Sequence, residues 1–182
     1  MKISSTNIPD VLLLEPQVFG DERGFFLETY REEELVKLGV VSHFVQDSHS
    51  GSRHGVLRGL HYQIRQAQGK LVRAVRGEIY DVAVDIRRSS PTFGKWVGAM
   101  LTDQNRHQLW IPTGFAHGFY VLSDWAEIFY KSTDYYAPEC ERTLLWNDPD
   151  LEINWLIPAG TIPILSAKDA TGQLLSQAEY YE

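Results

Sequence analysis

The chain has 182 residues, with 17 Lys and Arg against 24 Asp and Glu and a formal net charge of -7. Hydrophobic residues make up 43% and charged ones 23%, which excludes general disorder, and the acidity argues against a nucleic-acid-wrapping surface or an anionic membrane partner. Cys140 is the single cysteine, so no intrachain disulfide or Cys-rich metal site is available, and the longest early apolar run, Val11–Leu14, is too short for a signal peptide or membrane span. The expectation is a soluble, cytoplasmic protein folded as one domain over residues 1–182.

Apolar and polar residues alternate in short bursts punctuated by glycine and proline, which is the pattern of strands. Predicted strands open with Val11–Val18 and Gly24–Tyr30, parted by the turn signal Gly20-Asp21. Arg31–Leu38 is the one predicted helix of the first half, with acidic early positions and Gly39 as its stop. Strands follow over Val56–Gln63, Leu71–Val75 and Glu78–Arg87, then Trp96–Thr102, Gln108–Pro112, Gly118–Leu122 and Ile128–Thr133. Within Glu78–Arg87, Tyr80, Val82, Val84 and Ile86 share one face and Asp81 and Asp85 the other, which predicts a strand with one buried side. So many short strands at close spacing predict an all-β sandwich, jelly roll or barrel with a few short helices. No internal repeat or linker interrupts them.

Two segments carry polar residues where a strand would be apolar. In Arg53–Gln63, Arg58 and His61 stand three apart and face opposite sides of a strand unless Gly59 introduces a bulge. In Pro112-Thr113-Gly114-Phe115-Ala116-His117-Gly118, a turn leads into a strand that begins with histidine. Read singly, each His is as well explained as an ordinary satisfied surface or hairpin residue.

Together, Gly55, His61, Pro112-x-Gly114 and His117 resemble the paired signature of the cupin superfamily, whose fold is a double-stranded β-helix jelly roll. Metal-dependent cupins carry a second His and a Glu after the first one. Gln63 and Ala67 or Gln68 occupy those places here, and Val121 stands where an Asn is usual. Two imidazoles alone make a poor divalent site, so no metal and no cofactor is expected.

The ordered strings Asp21–Phe26, Gln46–Ser48, Gly55–Gln63, Gln68–Arg73, Gly77–Asp85, Pro112–Phe119, Tyr130-Lys131, Trp146–Asp148 and Ser166–Asp169 closely resemble the dTDP-4-dehydrorhamnose 3,5-epimerase family, metal-free cupins of dTDP-L-rhamnose synthesis. The resemblance spans nearly the whole chain. It implies His61 as the base, Asp169 as the carboxylate that orients it, Tyr130 as the acid of the opposite face and Lys70 as the cation at the sugar's O4. Ser166-x-x-Asp169 also fits a helix capping box. For the nucleotide-sugar the resemblance implies Arg23 and Arg58 at the diphosphate, with Glu28, Gln46, Asp47, Ser48, His117, Glu141 and Lys168 as further contacts. Tyr135 or Tyr136 is the candidate for stacking on thymine, and the sequence leaves the pair open. Ser48 departs from the Asn expected after Gln-Asp. The family further implies a homodimer in which Arg23 serves the partner's site, with neither nucleic acid nor membrane as partner. A relative that inverts only C3 or only C5, a 3,4-ketoisomerase and a non-catalytic sugar-binding cupin are the competing readings; the Lys70 and Tyr130 matches favour epimerisation.

Overall fold

A computed structural model describes residues 1–40 and 43–182. Thirteen strands are present among them, nearly all paired antiparallel, and eleven form two facing sheets. In chain order the first are β1 (Lys2–Ser5), β2 (Leu12–Glu15), β3 (Val18–Asp21) and β4 (Gly24–Leu27). Helix α1 (Glu32–Val36) precedes β5 (Gln46–Arg53), β6 (Leu57–Gln63), β7 (Lys70–Arg76), β8 (Glu78–Asp85) and β9 (Trp96–Thr102). The rest are β10 (Gln108–Ile111), β11 (Phe115–Val121), β12 (Trp125–Ser132), β13 (Glu141–Thr143) and helix α2 (Ala167–Ala170). One sheet runs β1-β2-β10-β7-β12-β5 and the other β13-β6-β11-β8-β9, while β3 and β4 form a separate hairpin. This is an antiparallel jelly roll, one of the three architectures that the strand spacing predicts and the one that the cupin resemblance implies.

Alternation places the core. On β11, Phe115, Phe119 and Val121 point between the sheets and meet Val72, Ala74, Leu109, Ile111 and Ile128 of the opposite wall. Each such side chain contributes roughly 1.5–3 kcal/mol by leaving water. The even residues of β8 and β11, Val82, Val84, Ala116 and Tyr120, point away from that layer. They are covered by Leu144, Leu151, Trp155 and Leu175 of the C-terminal segment.

That covering corrects the reading of Glu78–Arg87 as a strand with one buried side. Both faces of β8 are buried, because one looks into the sandwich and the other into the C-terminal segment. Asp81 and Asp85, which alternation assigns to a polar face, are fully buried. Three more differences follow from the pairing. Val11–Val18 is two strands, since β2 joins the large sheet and β3 leaves for the hairpin. The strand β5 was absent from the predicted set because it is polar on both faces. The helix is shorter at both ends, and β1 and β13 are short edge strands without an apolar pattern.

Candidate active site

At one end of the sandwich the apolar layer gives way to a cavity of about 340 Å³. Its two walls belong to different sheets. The five-stranded sheet supplies Arg58 and His61 from β6 and His117 and Phe119 from β11. The six-stranded sheet supplies Gln46, Ser48 and Ser50 from β5, Lys70 from β7 and Tyr130 from β12. Gln68, Tyr136, Glu141 and Lys168 close the rim.

Gly59 resolves the problem of Arg58 and His61. The β6–β11 register matches His61 to His117 and Arg58 to Phe119, three residues on one strand against two on the other. That bulge turns both side chains to the same wall. The glycine sits at a φ of +120°, and a Cβ there would stand 2.5 Å from the Gly118 Cα. Only glycine fits.

Behind His61 lies Asp169, whose Oδ1 accepts from His61 Nε2 at 2.6 Å and from the Gly59 backbone N–H at 3.2 Å. Its Oδ2 accepts from Ser166 Oγ at 2.6 Å. Ser166 in turn caps α2, accepting from the Asp169 backbone N–H. The capping reading of Ser166-x-x-Asp169 is therefore realised, and the same cap fixes the backbone that aims the carboxylate at His61. Burial would raise the Asp169 carboxyl, but the bonds from His61 and Ser166 hold it at about 2. For His61, burial outweighs the Asp169 contact and draws the imidazole below its ordinary value. The pair is thus a carboxylate holding Nε2–H of a neutral imidazole, with Nδ1 as the free base.

Lys70 and Tyr130 face this pair from the other wall, the ammonium 5.9 Å from the phenol ring centre. Burial lowers Lys70 to about 8, against the pull of Glu141 and Asp81. Tyr130 is cross-strand partner to Ser48, so the β5–β12 register places the polar residues of β5 beside it. At the rim, Glu141 accepts from Lys168 at 2.9 Å and from the Tyr136 hydroxyl at 3.0 Å. Burial would raise the Glu141 carboxyl, yet Lys168 holds it below its ordinary value. Arg58 is anchored through Nε to Ser52 Oγ at 3.0 Å.

Four expected contacts lie elsewhere. Arg23 is on the β3–β4 hairpin, fully in solvent and paired with Asp21. Glu28 pairs with Arg31, and Asp47, pointing to the outer face of β5, pairs with Lys131. Tyr135 is exposed and is not among the residues lining this cavity, whereas its neighbour Tyr136 is. Ser50, Gln68 and Phe119 were not singled out as ligand contacts. Ser50 continues the alternation of Gln46 and Ser48, and Phe119 that of His117, so period-two counting was the available signal. Among the described residues no group of three or more His, Cys, Asp or Glu is placed to hold a metal ion.

This arrangement has close counterparts. Residues 5–177 match the family model described as dTDP-4-dehydrorhamnose 3,5-epimerase. The enzyme of that name from Pseudomonas aeruginosa is 58% identical over 182 residues, covering 100% of this chain and 99% of the relative. Its Salmonella typhimurium namesake is also 58% identical, covering 98% and 97%. The crystal structure of Legionella pneumophila dTDP-6-deoxy-D-glucose-3,5-epimerase, in complex with dTDP-4-keto-L-rhamnose, superposes with a TM-score of 0.94 at 52% identity, covering 98% of this chain and 94% of that one. Sequence, fold and a buried His–Asp pair facing a Lys and a Tyr lead to one conclusion: the chain belongs to the dTDP-4-dehydrorhamnose 3,5-epimerase family.

Proposed function

We propose that the chain inverts C3 and C5 of dTDP-4-dehydro-6-deoxy-D-glucose, giving dTDP-4-dehydro-L-rhamnose. One observation carries the reading: His61 and Tyr130 stand on opposite sheets across one cavity. Inversion beside a ketone needs a base on one face of the sugar and an acid on the other. His61 Nδ1 takes the proton from the carbon next to the C4 carbonyl, and the C–H electrons pass into an enolate. The Lys70 ammonium holds the developing negative charge on O4. The Tyr130 hydroxyl then gives its proton to the same carbon from the opposite face, leaving a phenolate. Solvent takes the proton from the imidazolium and restores the phenol, so the cycle balances without a redox partner. C3 and C5 both flank the carbonyl, which lets one base serve each in turn. The chain's 58% identity to two relatives named 3,5-epimerase favours double inversion over action at a single carbon.

Arg58, Lys168 and Tyr136 lie at the mouth, where the diphosphate and thymine would leave the sugar pocket. Arg23 and Glu28 belong to this site only if a second copy brings its hairpin to it. Val18, Phe19, Phe25 and Phe26 on that hairpin are all exposed, an apolar surface of the kind a subunit interface covers. The proposed working unit is therefore a homodimer in which Arg23 reaches the partner's cavity. Activated nucleotide-sugars are made in the cytoplasm, and that is the proposed location; among the described residues no helix is long and apolar enough to cross a membrane.

The test is incubation with dTDP-4-dehydro-6-deoxy-D-glucose in D₂O. Deuterium at both C3 and C5 is expected. Label at one carbon would establish single inversion, and label at neither would end the epimerase reading.

A further inference from the structure

A second His–Asp pair sits beside the first and has no part in the steps above. Asp81 on β8 is fully buried, and its Oδ1 accepts from Nε2 of His117 at 2.8 Å. The register sets Asp81 opposite Phe119 and His117 opposite Ala83, so the two are diagonal neighbours within side-chain reach. The other carboxylate oxygen, Oδ2, has no hydrogen-bond partner among the described residues. Its neighbours along the same face of β8, Ile79 and Ala83, belong to the apolar core. A half-satisfied carboxylate at such a position costs stability, and a valine or leucine would suit the layer better. Fold requirements alone do not explain it.

From this geometry we propose that Asp81 is a positioning residue of the active site. It locks the His117 ring with Nε2 protonated, leaving Nδ1 for the ligand. Asp81 is set behind the cavity wall, out of solvent, while His117 lines the cavity itself.

The inference rests on the cavity being the active site, and its test separates the two claims. Asp81→Asn keeps the shape and removes the charge, while Asp81→Leu removes the hydrogen bond as well. Asp81→Asn exchanges the unpartnered Oδ2 for an amide N–H₂, and Asp81→Leu leaves the His117 Nε2–H without its acceptor, so turnover is read per folded protein, with the folded fraction taken from the melting curve of each variant. Turnover at neutral pH should fall about ten- to a hundredfold, the usual loss when the partner behind a site histidine is removed. In Asp81→Leu the His117 ring should also lose its fixed tautomer, which ¹⁵N NMR reads directly. Wild-type turnover in both variants would overturn the proposal, as would activity that falls only in step with the folded fraction. If neither variant folds, ¹⁵N NMR of the wild-type protein decides: the His117 signal, assigned by its loss in His117→Asn, should show Nε2 protonated. A ring protonated at Nδ1 alone would overturn it. Absence of turnover in the wild type would instead strike the epimerase reading and leave the NMR result standing.

Discussion

The proposed base sits where burial favours the neutral form of its imidazole. Burial draws His61 below the 6.5 of a free imidazole, while Lys70 is lowered from 10.5 to about 8. The base works unprotonated, so activity rises as pH climbs through the His61 value, which lies below 6.5. The cation works protonated, so activity falls again as pH passes about 8. A bell-shaped kcat/KM profile with those limbs is expected, and Lys70→Arg should carry the alkaline limb out of range. A flat profile up to pH 10 would remove Lys70 from the chemistry. Asp169→Asn keeps the ring in place and takes away the carboxylate's preference for Nε2–H. Its rate should fall by up to about 10⁴, as when the orienting carboxylate of a catalytic triad is neutralised, with dTDP affinity unchanged by titration calorimetry. Arg58→Ala should do the reverse, weakening dTDP by about 2–4 kcal/mol, the scale for losing a charge-assisted contact at the diphosphate.

Strand β8 shows how a carboxylate can organise an element as well as a reaction. Asp85 at its end accepts from Arg87 Nε at 2.9 Å, Ser90 Oγ at 2.6 Å and Thr92 Oγ1 at 2.6 Å, tying down the turn into β9. Burial would raise this carboxyl, but those donors hold it at about 2 instead of 3.8. A depressed carboxyl stabilises the fold fully above its free value, and that share is lost as pH falls from 3.8 toward 2. Asp85→Asn should cost about 2–4 kcal/mol in urea unfolding at pH 7 and show a smaller stability loss across that acid window. Equal stability at pH 7 would show the turn to be held by its backbone alone. Asp81 and Asp85 also mark where sequence reading stopped short. Alternating Asp on a strand reads as a solvent face, but the odd face that carries these two looks into the sandwich, while the C-terminal segment buries the even face. β5 escaped for the opposite reason, since its inward Gln46, Ser48 and Ser50 line a cavity and leave no apolar stripe to detect. His61, Lys70, Tyr130 and Asp169 each lie in a string that carries the family resemblance, and the structure brings the four together. No string foretells that Tyr136, and not Tyr135, turns to the cavity; that depends on the register of the rim.

At the scale of the molecule, the jelly roll places the proposed base and acid on separate sheets. The cavity forms where the apolar layer ends, so the same two walls that pack the core set His61 and Tyr130 across it from one another. The proposed mechanism uses protein side chains alone, so activity should survive exhaustive chelation; recovery only on adding a divalent ion would contradict it. The proposed dimer predicts complementation between subunits. Mixing Arg23→Ala with His61→Ala should restore part of the activity, because some mixed dimers carry one site with both residues intact. No recovery after confirmed subunit exchange would assign each site to one chain. The division of labour between the walls is tested most directly by Tyr130→Phe, which removes one hydroxyl and keeps the ring packed against Lys70. In D₂O this variant should still wash deuterium into C3 or C5 through His61 while the configuration there is retained. Inversion at the wild-type rate in Tyr130→Phe would contradict the assignment of the opposite-face acid.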